Sequence, residues 1–262
     1  MTKAIAVIFF LIPIFSFCQI LNIDKSDTAA YTIAPKLNIN FSSGLEIDKQ
    51  KTTVYDATNT LESMLQKNKN LFILAGSYRF TYNGPDDILN AGYIHLRYRY
   101  NYKSLFQPEP FIQYQWDNKR GIEHRFVTGI NGRYNFYKGD KWDINAGIGL
   151  MYEEEIWSYV AVADSSLIPP NAQPVNSKLL KANSYLRFDI KTSDNSTIAF
   201  SLFIQSGFHA LKPRFAPHFQ WDVGAGKHLS FSISFAGLYD TSPVVPIANF
   251  YYSLSNSLLF KF

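Results

Sequence analysis

The feature that most restricts this chain is an alternation of apolar and polar residues, at period two, that recurs along most of its length. Between Tyr93 and Tyr102, Ile94, Leu96, Tyr98, Tyr100 and Tyr102 fall on one face, and Tyr93, His95, Arg97, Arg99 and Asn101 on the other. Successive side chains of an extended strand point to opposite sides, so the segment reads as a strand and not as a helix. The pattern returns in Trp142, Ile144, Ala146, Ile148, Leu150 and Tyr152 against Asp143, Asn145, Gly147, Gly149, Met151 and Glu153. It returns again in Leu186, Phe188 and Ile190 against Arg187, Asp189 and Lys191. Beyond the N-terminal region no segment approaches the roughly 20 continuous apolar residues of a membrane helix. A chain of this kind is either soluble or crosses a membrane by strands.

Marking every alternating segment gives about twelve strands, at 33–48, 51–65, 70–82, 90–102, 108–117, 122–137, 141–160, 178–191, 197–206, 213–224, 228–240 and 249–262. Only the second is ambiguous, because Asp56 to Gln66 suits a helix equally well on propensity. The connections then alternate in kind. Compact polar turns fall around Lys67 to Lys69, Lys103-Ser104, Lys138 to Asp140, Ser193 to Asn195 and Gly224 to Gly226, while longer ones run from Asn83 to Leu89, Ala161 to Ser177 and Thr241 to Ala248. Lys49-Gln50 and Asn118 to Gly121 are the short exceptions on the longer side. Alternating short turns and long loops is what an outer-membrane barrel with both ends in the periplasm requires.

A soluble sandwich also alternates, but its apolar face is mainly aliphatic. Here aromatic residues make up 16% of the chain and crowd the strand ends, among them Tyr78, Tyr100, Tyr102, Trp116, Trp142, Trp157, Trp221, Tyr239 and Tyr252. Rings so placed suit the two aromatic girdles of a membrane barrel. The expected fold is all-β: a closed antiparallel transmembrane β-barrel, an up-and-down meander forming one domain over 33–262.

Residues 1–18 read as a signal peptide, with Lys3 at the start, an apolar run from Ala4 to Phe15, and Ser16 and Cys18 as small residues before a cut. Lipidation of Cys18 is the rival reading, and the bulky Phe17 before it argues against it. Residues 19–32 form a polar lead. The only cysteine is Cys18, so cleavage after it leaves a mature chain without disulfide or thiol chemistry. Export places the protein in the bacterial outer membrane, with lipid as its surroundings. The last strand, ending at Phe262 with Tyr252, Leu254, Leu258 and Phe260 on one face, is the expected contact with the barrel assembly machinery.

Phe111-Ile112-Gln113-Tyr114-Gln115-Trp116-Asp117, Arg125, Gly129, Trp142 to Gly149 and Tyr152-Glu153 resemble the core of an uncharacterised family of salt-induced outer-membrane proteins. That resemblance implies an outer-membrane barrel and an envelope role under salt stress. It supplies no catalytic residues.

The faces opposite the apolar ones collect His95, Arg97, Arg99, Arg125, Arg133, Asp143, Glu153, Glu155, Arg187 and Asp189 as candidate lumen-lining residues, joined by Lys181, Lys191, Arg214 and Asp222. Mixed signs suit either a charged constriction or a lattice that fills the lumen. A three-residue turn at 138–140 would set Arg125 opposite Glu153 and Gly129 opposite Gly149. Glycines 129, 132, 147 and 149 mark bends or leave room for large side chains across the wall.

Nucleic acid is not an expected partner. The formal charge is only +4, and in Arg97 to Lys103 the arginines and tyrosines point to opposite faces. None of His95, His124, His209, His218 and His228 lies in a metal-ligand or nucleophile motif, and no cofactor is expected. Passage of small solutes or an envelope-stress role is the leading reading. An outer-membrane enzyme acting on lipids and a secreted soluble β-barrel binding an apolar ligand are the alternatives.

Overall fold

The computed structural model describes residues 36–49, 53–83, 86–208, 211–226 and 229–260. The expected signal peptide, the polar lead and Phe262 lie outside these residues. Twelve strands follow one another: β1 (Lys36–Lys49), β2 (Thr53–Lys67), β3 (Asn70–Asn83), β4 (Asp86–Tyr100), β5 (Phe106–Asp117), β6 (Ile122–Lys138), β7 (Trp142–Trp157), β8 (Val175–Ser193), β9 (Ser196–Gly207), β10 (Arg214–Gly224), β11 (Leu229–Asp240) and β12 (Phe250–Phe260). They form one antiparallel sheet in chain order. The ambiguous segment is a strand: β2 is laddered to β1 on one edge and β3 on the other, and that pairing overrides its helix propensity.

Several boundaries differ from the sequence reading, three of them for a reason visible in the local contacts. The connection expected from Asn83 to Leu89 is largely strand, because β3 and β4 pair as far as Asn83 opposite Asp86, with a register shift at Thr81/Tyr82 absorbing one residue. β7 stops at Trp157 instead of reaching 160, where the Ser158 N–H turns to donate to Gly121 O at 2.8 Å. β4 ends at Tyr100 because Asn101 takes a positive φ of 50°, a conformation Asn tolerates better than most residues. Tyr102 therefore leaves the outer face, where it was expected in a girdle, and packs on Leu71, Ile73 and Ala75.

The register between β6 and β7 also differs. Arg125 stands opposite Glu155 and Gly129 opposite Met151, two residues from the expected partners. The hairpin tip is longer than three residues, with Lys138 opposite Asp143, and a bulge between Asn135 and Tyr137 takes up Phe136. A slip of two preserves parity, so the side chains between the two register shifts keep their expected faces.

Burial in this sheet is the reverse of a soluble protein's. Ile148 is 73% exposed and Leu96 45%, whereas Arg97 is 4% and Arg99 1%. Among the described residues, polar and charged side chains outnumber apolar ones in the buried set. The sheet curls around this polar face. Tyr185 on β8 reaches Glu109 on β5, Arg214 on β10 reaches Glu155 on β7, and the Arg120 guanidinium lies 4.9 Å from the Tyr251 ring on β12. No ladder joins β12 to β1 among the described residues.

Connections after odd-numbered strands define a loop end, and those after even-numbered strands a turn end. At the loop end the 241–249 connection folds inward, and Val245 packs on Ile122 and Trp157. Trp157 is 2% exposed, so it belongs to this buried cap and not to the aromatic girdle in which the sequence placed it.

Candidate functional site

The inward face of β4 to β11 carries the chemistry, and alternation puts it there: every second residue of each strand is aimed at the enclosed side. Three groups can be distinguished.

The first lies towards the loop end. Glu153 and Glu155, two apart on β7, share one face. Arg125 Nη2 lies 2.5 Å from Glu153 Oε2, and its Nε lies 3.0 Å from Glu155 Oε1. Arg214 Nη1 spans both carboxylates, 3.2 Å from Glu153 Oε2 and 3.1 Å from Glu155 Oε1, and Arg214 also pairs with Asp240 at 2.9 Å. The Lys181 ammonium pairs with Glu153 Oε1, and Trp157 Nε1–H donates to Glu155 Oε2 at 3.2 Å. Buried charges are tolerated only when paired and hydrogen-bonded, and here each carboxylate meets more than one cation. The predicted Arg125–Glu153 pair thus forms, but along a diagonal of the ladder, which two long side chains can span.

The second group is nearer the turn end. Arg99 pairs with Glu109, Arg133 Nη1 lies 3.9 Å from the same carboxylate, and Tyr185 Oη–H donates to Glu109 Oε2 at 2.6 Å. Gly147 is what admits Tyr185, since a Cβ there would collide with the ring. Arg187 grips Asp189 with two hydrogen bonds of 2.6 Å.

Between the two lies a small cavity lined by His95, Arg97, Gln113, Arg125, Asn131, Asn183 and Gln205 with Phe111, Val127 and Phe203. His95 Nδ1–H donates to Gln113 Oε1 at 3.0 Å, and the His95 ring stacks against Phe111.

Of the candidates from sequence, His95, Arg97, Arg99, Arg125, Arg133, Glu153, Glu155 and Arg187 are buried on this face, and Asp189 is half-buried beside Arg187. Asp143 is half-buried at the start of β7 and enters no ion pair among the described residues. Lys191, near the turn end of β8, is exposed and pairs with Asp194 at 3.0 Å. Sequence reasoning missed Glu109, Tyr185 and the amides of Gln113, Asn131, Asn183 and Gln205. Their inward parity was the signal that could have found them.

No protein-family model matches this chain, and no curated protein does. The resemblance to the salt-induced family is therefore not matched by any family model. Among solved structures the chain is similar to the NanC porin, at 11% identity and a TM-score of 0.47 over 87% of this chain and 99% of that one. It is similar to the translocator domain of the autotransporter NalP from Neisseria meningitidis, at 9% identity and a TM-score of 0.49 over 90% of each chain. It is also similar to the KdgM porin in complex with disordered oligogalacturonate, at 10% identity and a TM-score of 0.42 over 87% of this chain and 99% of that one.

Proposed function

We propose that this chain is a β-barrel of the bacterial outer membrane that lets small solutes pass through a narrow, charged lumen. The observation that carries the reading is the reversed burial: the apolar face of each strand is exposed while arginines and carboxylates are enclosed. In water such a sheet would expose far more contiguous apolar surface than a soluble monomer presents. In lipid, the same outward face is an advantage. Lipid also requires that the unpaired edges of β1 and β12 be satisfied, and closure of the sheet on itself does so.

Unfilled space in the interior supports passage over a solid plug, since a small cavity lies between the two ion-paired groups. The ion pair that bridges β7 to β10 and the hydrogen bond that bridges β5 to β8 favour a second reading, in which the lattice closes the lumen and the protein serves the envelope in another way, such as under salt stress.

Planar-bilayer recording of the purified chain separates the two. Stepwise conductance is the expected result. A folded protein giving none at any voltage or salt would leave the closed lattice. Recovery from washed cells without detergent would overturn the membrane assignment itself.

A further inference from the structure

The connection between β11 and β12 does not have the composition of a loop that faces water. Between Asp240 and Phe250 it carries no charge, and Pro243-Val244-Val245-Pro246-Ile247-Ala248 is an unbroken apolar run. Connecting segments normally run over the surface, so an apolar run of this kind needs a seat. Val245 has one. It is 2% exposed and packs on Ile122 and Trp157, with Val244 and Ile247 beside it. Ile122 opens β6 and Trp157 closes β7, and in a twelve-stranded sheet in chain order β6 stands half of the way round from β12. The connection therefore crosses the loop-end mouth of the curled sheet and lands on the far wall. Its seat is also the ceiling of the ion-paired group, since Ile122 and Trp157 share a small cavity with Arg125, Glu155 and Arg214.

The base of this crossing is held differently from its tip. At the base the Asp240 N–H donates to Asn249 O at 2.8 Å, and the Thr241 hydroxyl donates to Pro213 O at 2.9 Å. The Asp240 carboxylate accepts from the Ser242 N–H at 3.0 Å and from Arg214 Nε at 2.9 Å. Residues 243–247, in contrast, make no hydrogen bond to β6, β7 or β8 among the described residues, and apolar contact alone holds them to that wall. Such contacts separate without leaving a polar group unpaired. Pro243 and Pro246 fix φ on either side of the two valines, so the tip is stiff and moves as a unit on its hydrogen-bonded base.

We propose that residues 241–249 form a lid that shuts the loop-end mouth of the passage, and that the lumen opens to solute when Val245 leaves its seat. The inference rests on the passage reading and adds its regulation. Asp240 ties the hinge of the lid to Arg214, so the lid is rooted in the same ion-paired group that lines the lumen below it.

The test uses the full chain, folded in detergent for labelling and in planar bilayers for recording. In a Cys18→Ser background, Ile122→Cys places a thiol under the lid at a position 1% exposed, where a hydrophilic maleimide reaches it only after the lid lifts. Val245→Ser removes the apolar anchor from a connection that lies outside every strand. Loss of one buried valine should speed labelling about tenfold or more, and the fraction of time spent conducting should rise with it. A second variant, with residues 243–247 replaced by Gly and Ser, should do both more strongly. Labelling as slow in both variants as in the parent would overturn the lid. Faster labelling with an unchanged conducting fraction would overturn its role as a gate and leave passage standing. Faster labelling with no conductance from any variant would overturn passage, and the gate with it, and leave only a seated cap.

Discussion

Glu153 stands where Arg125, Lys181 and Arg214 converge, each on a different neighbouring or near-neighbouring strand. Its carboxylate is therefore worth more to the fold than a surface ion pair. Glu153→Gln strands three buried cations with only Glu155 and Asp240 to share, and breaking a buried pair on one side costs about 3–5 kcal/mol. The midpoint of urea unfolding in detergent micelles, read by tryptophan fluorescence, should fall accordingly. A change within the scatter of replicate curves would mean that lumen water already screens the site. Gly147→Val tests the opposite kind of contact, because its side chain enters space that the Tyr185 ring occupies. Overpacking of this sort costs about 1–3 kcal/mol, and a second substitution, Tyr185→Ala, should recover part of it. The charged members of this interior were legible because a charge at every second position of an apolar segment stands out. The amides were not, since Asn and Gln at inward positions look like the Asn and Gln of turns. Glu109 lay between Pro108 and Pro110 and read as part of a strand's entry, although its parity matches Gln113 and Gln115.

Strands were legible as elements because one period-two signal gives both their existence and their faces. Register was less so, because it depends on how many residues a hairpin tip consumes and on bulges, such as that at Phe136, that no alternation announces. The face assignment can be tested on β7. Ile148 is 73% exposed at mid-strand, so under the proposed membrane reading Ile148→Arg would put a charge into lipid and should cost about 2–4 kcal/mol, while Ile148→Leu should be silent. Folding yields into lipid vesicles measure this, and equal yields for the two variants would contradict the outward direction of that face. The long connection between β7 and β8 offers a titration. Asp164 caps the short 3₁₀ turn Ser165–Leu167, accepting from the Ser166 backbone N–H at 2.9 Å and its hydroxyl at 2.7 Å. Those hydrogen bonds hold its carboxyl below the ordinary value. A depressed folded-state pKa gives a contribution that is present above the unfolded value, near about 3.9, and is lost as pH falls through the folded one. The protection of the Ser166 amide, its exchange rate relative to the intrinsic rate at the same pH, should fall on that acid limb in the wild type. In Asp164→Ala the protection should be low at every pH, and a wild-type protection that does not change with acid would remove the cap from the account.

At the scale of the whole molecule, the question left by a sheet in strict chain order is what becomes of its two edges. β1 exposes Leu37, Ile39, Phe41, Leu45 and Ile47 on one face, and β12 exposes Phe250, Tyr252 and Leu254 on the corresponding one. Long edges of this kind are a template for association with other chains, and natural sheets rarely leave them bare. Chain order makes β1 and β12 antiparallel when the sheet curls round, because an even number of strands returns the last one in the opposite direction to the first. Their outward apolar faces then join into a continuous belt. Paired cysteines can report this closure in a Cys18→Ser background, which contains no other thiol. Placing one cysteine at Leu37, Phe41 or Leu45 and the second at Tyr252 or Leu254 samples several registers on one face. Bridging requires Cβ atoms within about 3.5–4.5 Å, so at most one or two of the combinations should oxidise. Closure predicts an intramolecular disulfide in one of them, in lipid and without loss of the folded form, visible as a faster-migrating monomer under non-reducing conditions. Intermolecular dimers across the whole set, with no cross-linked monomer, would show that the edges meet other chains instead.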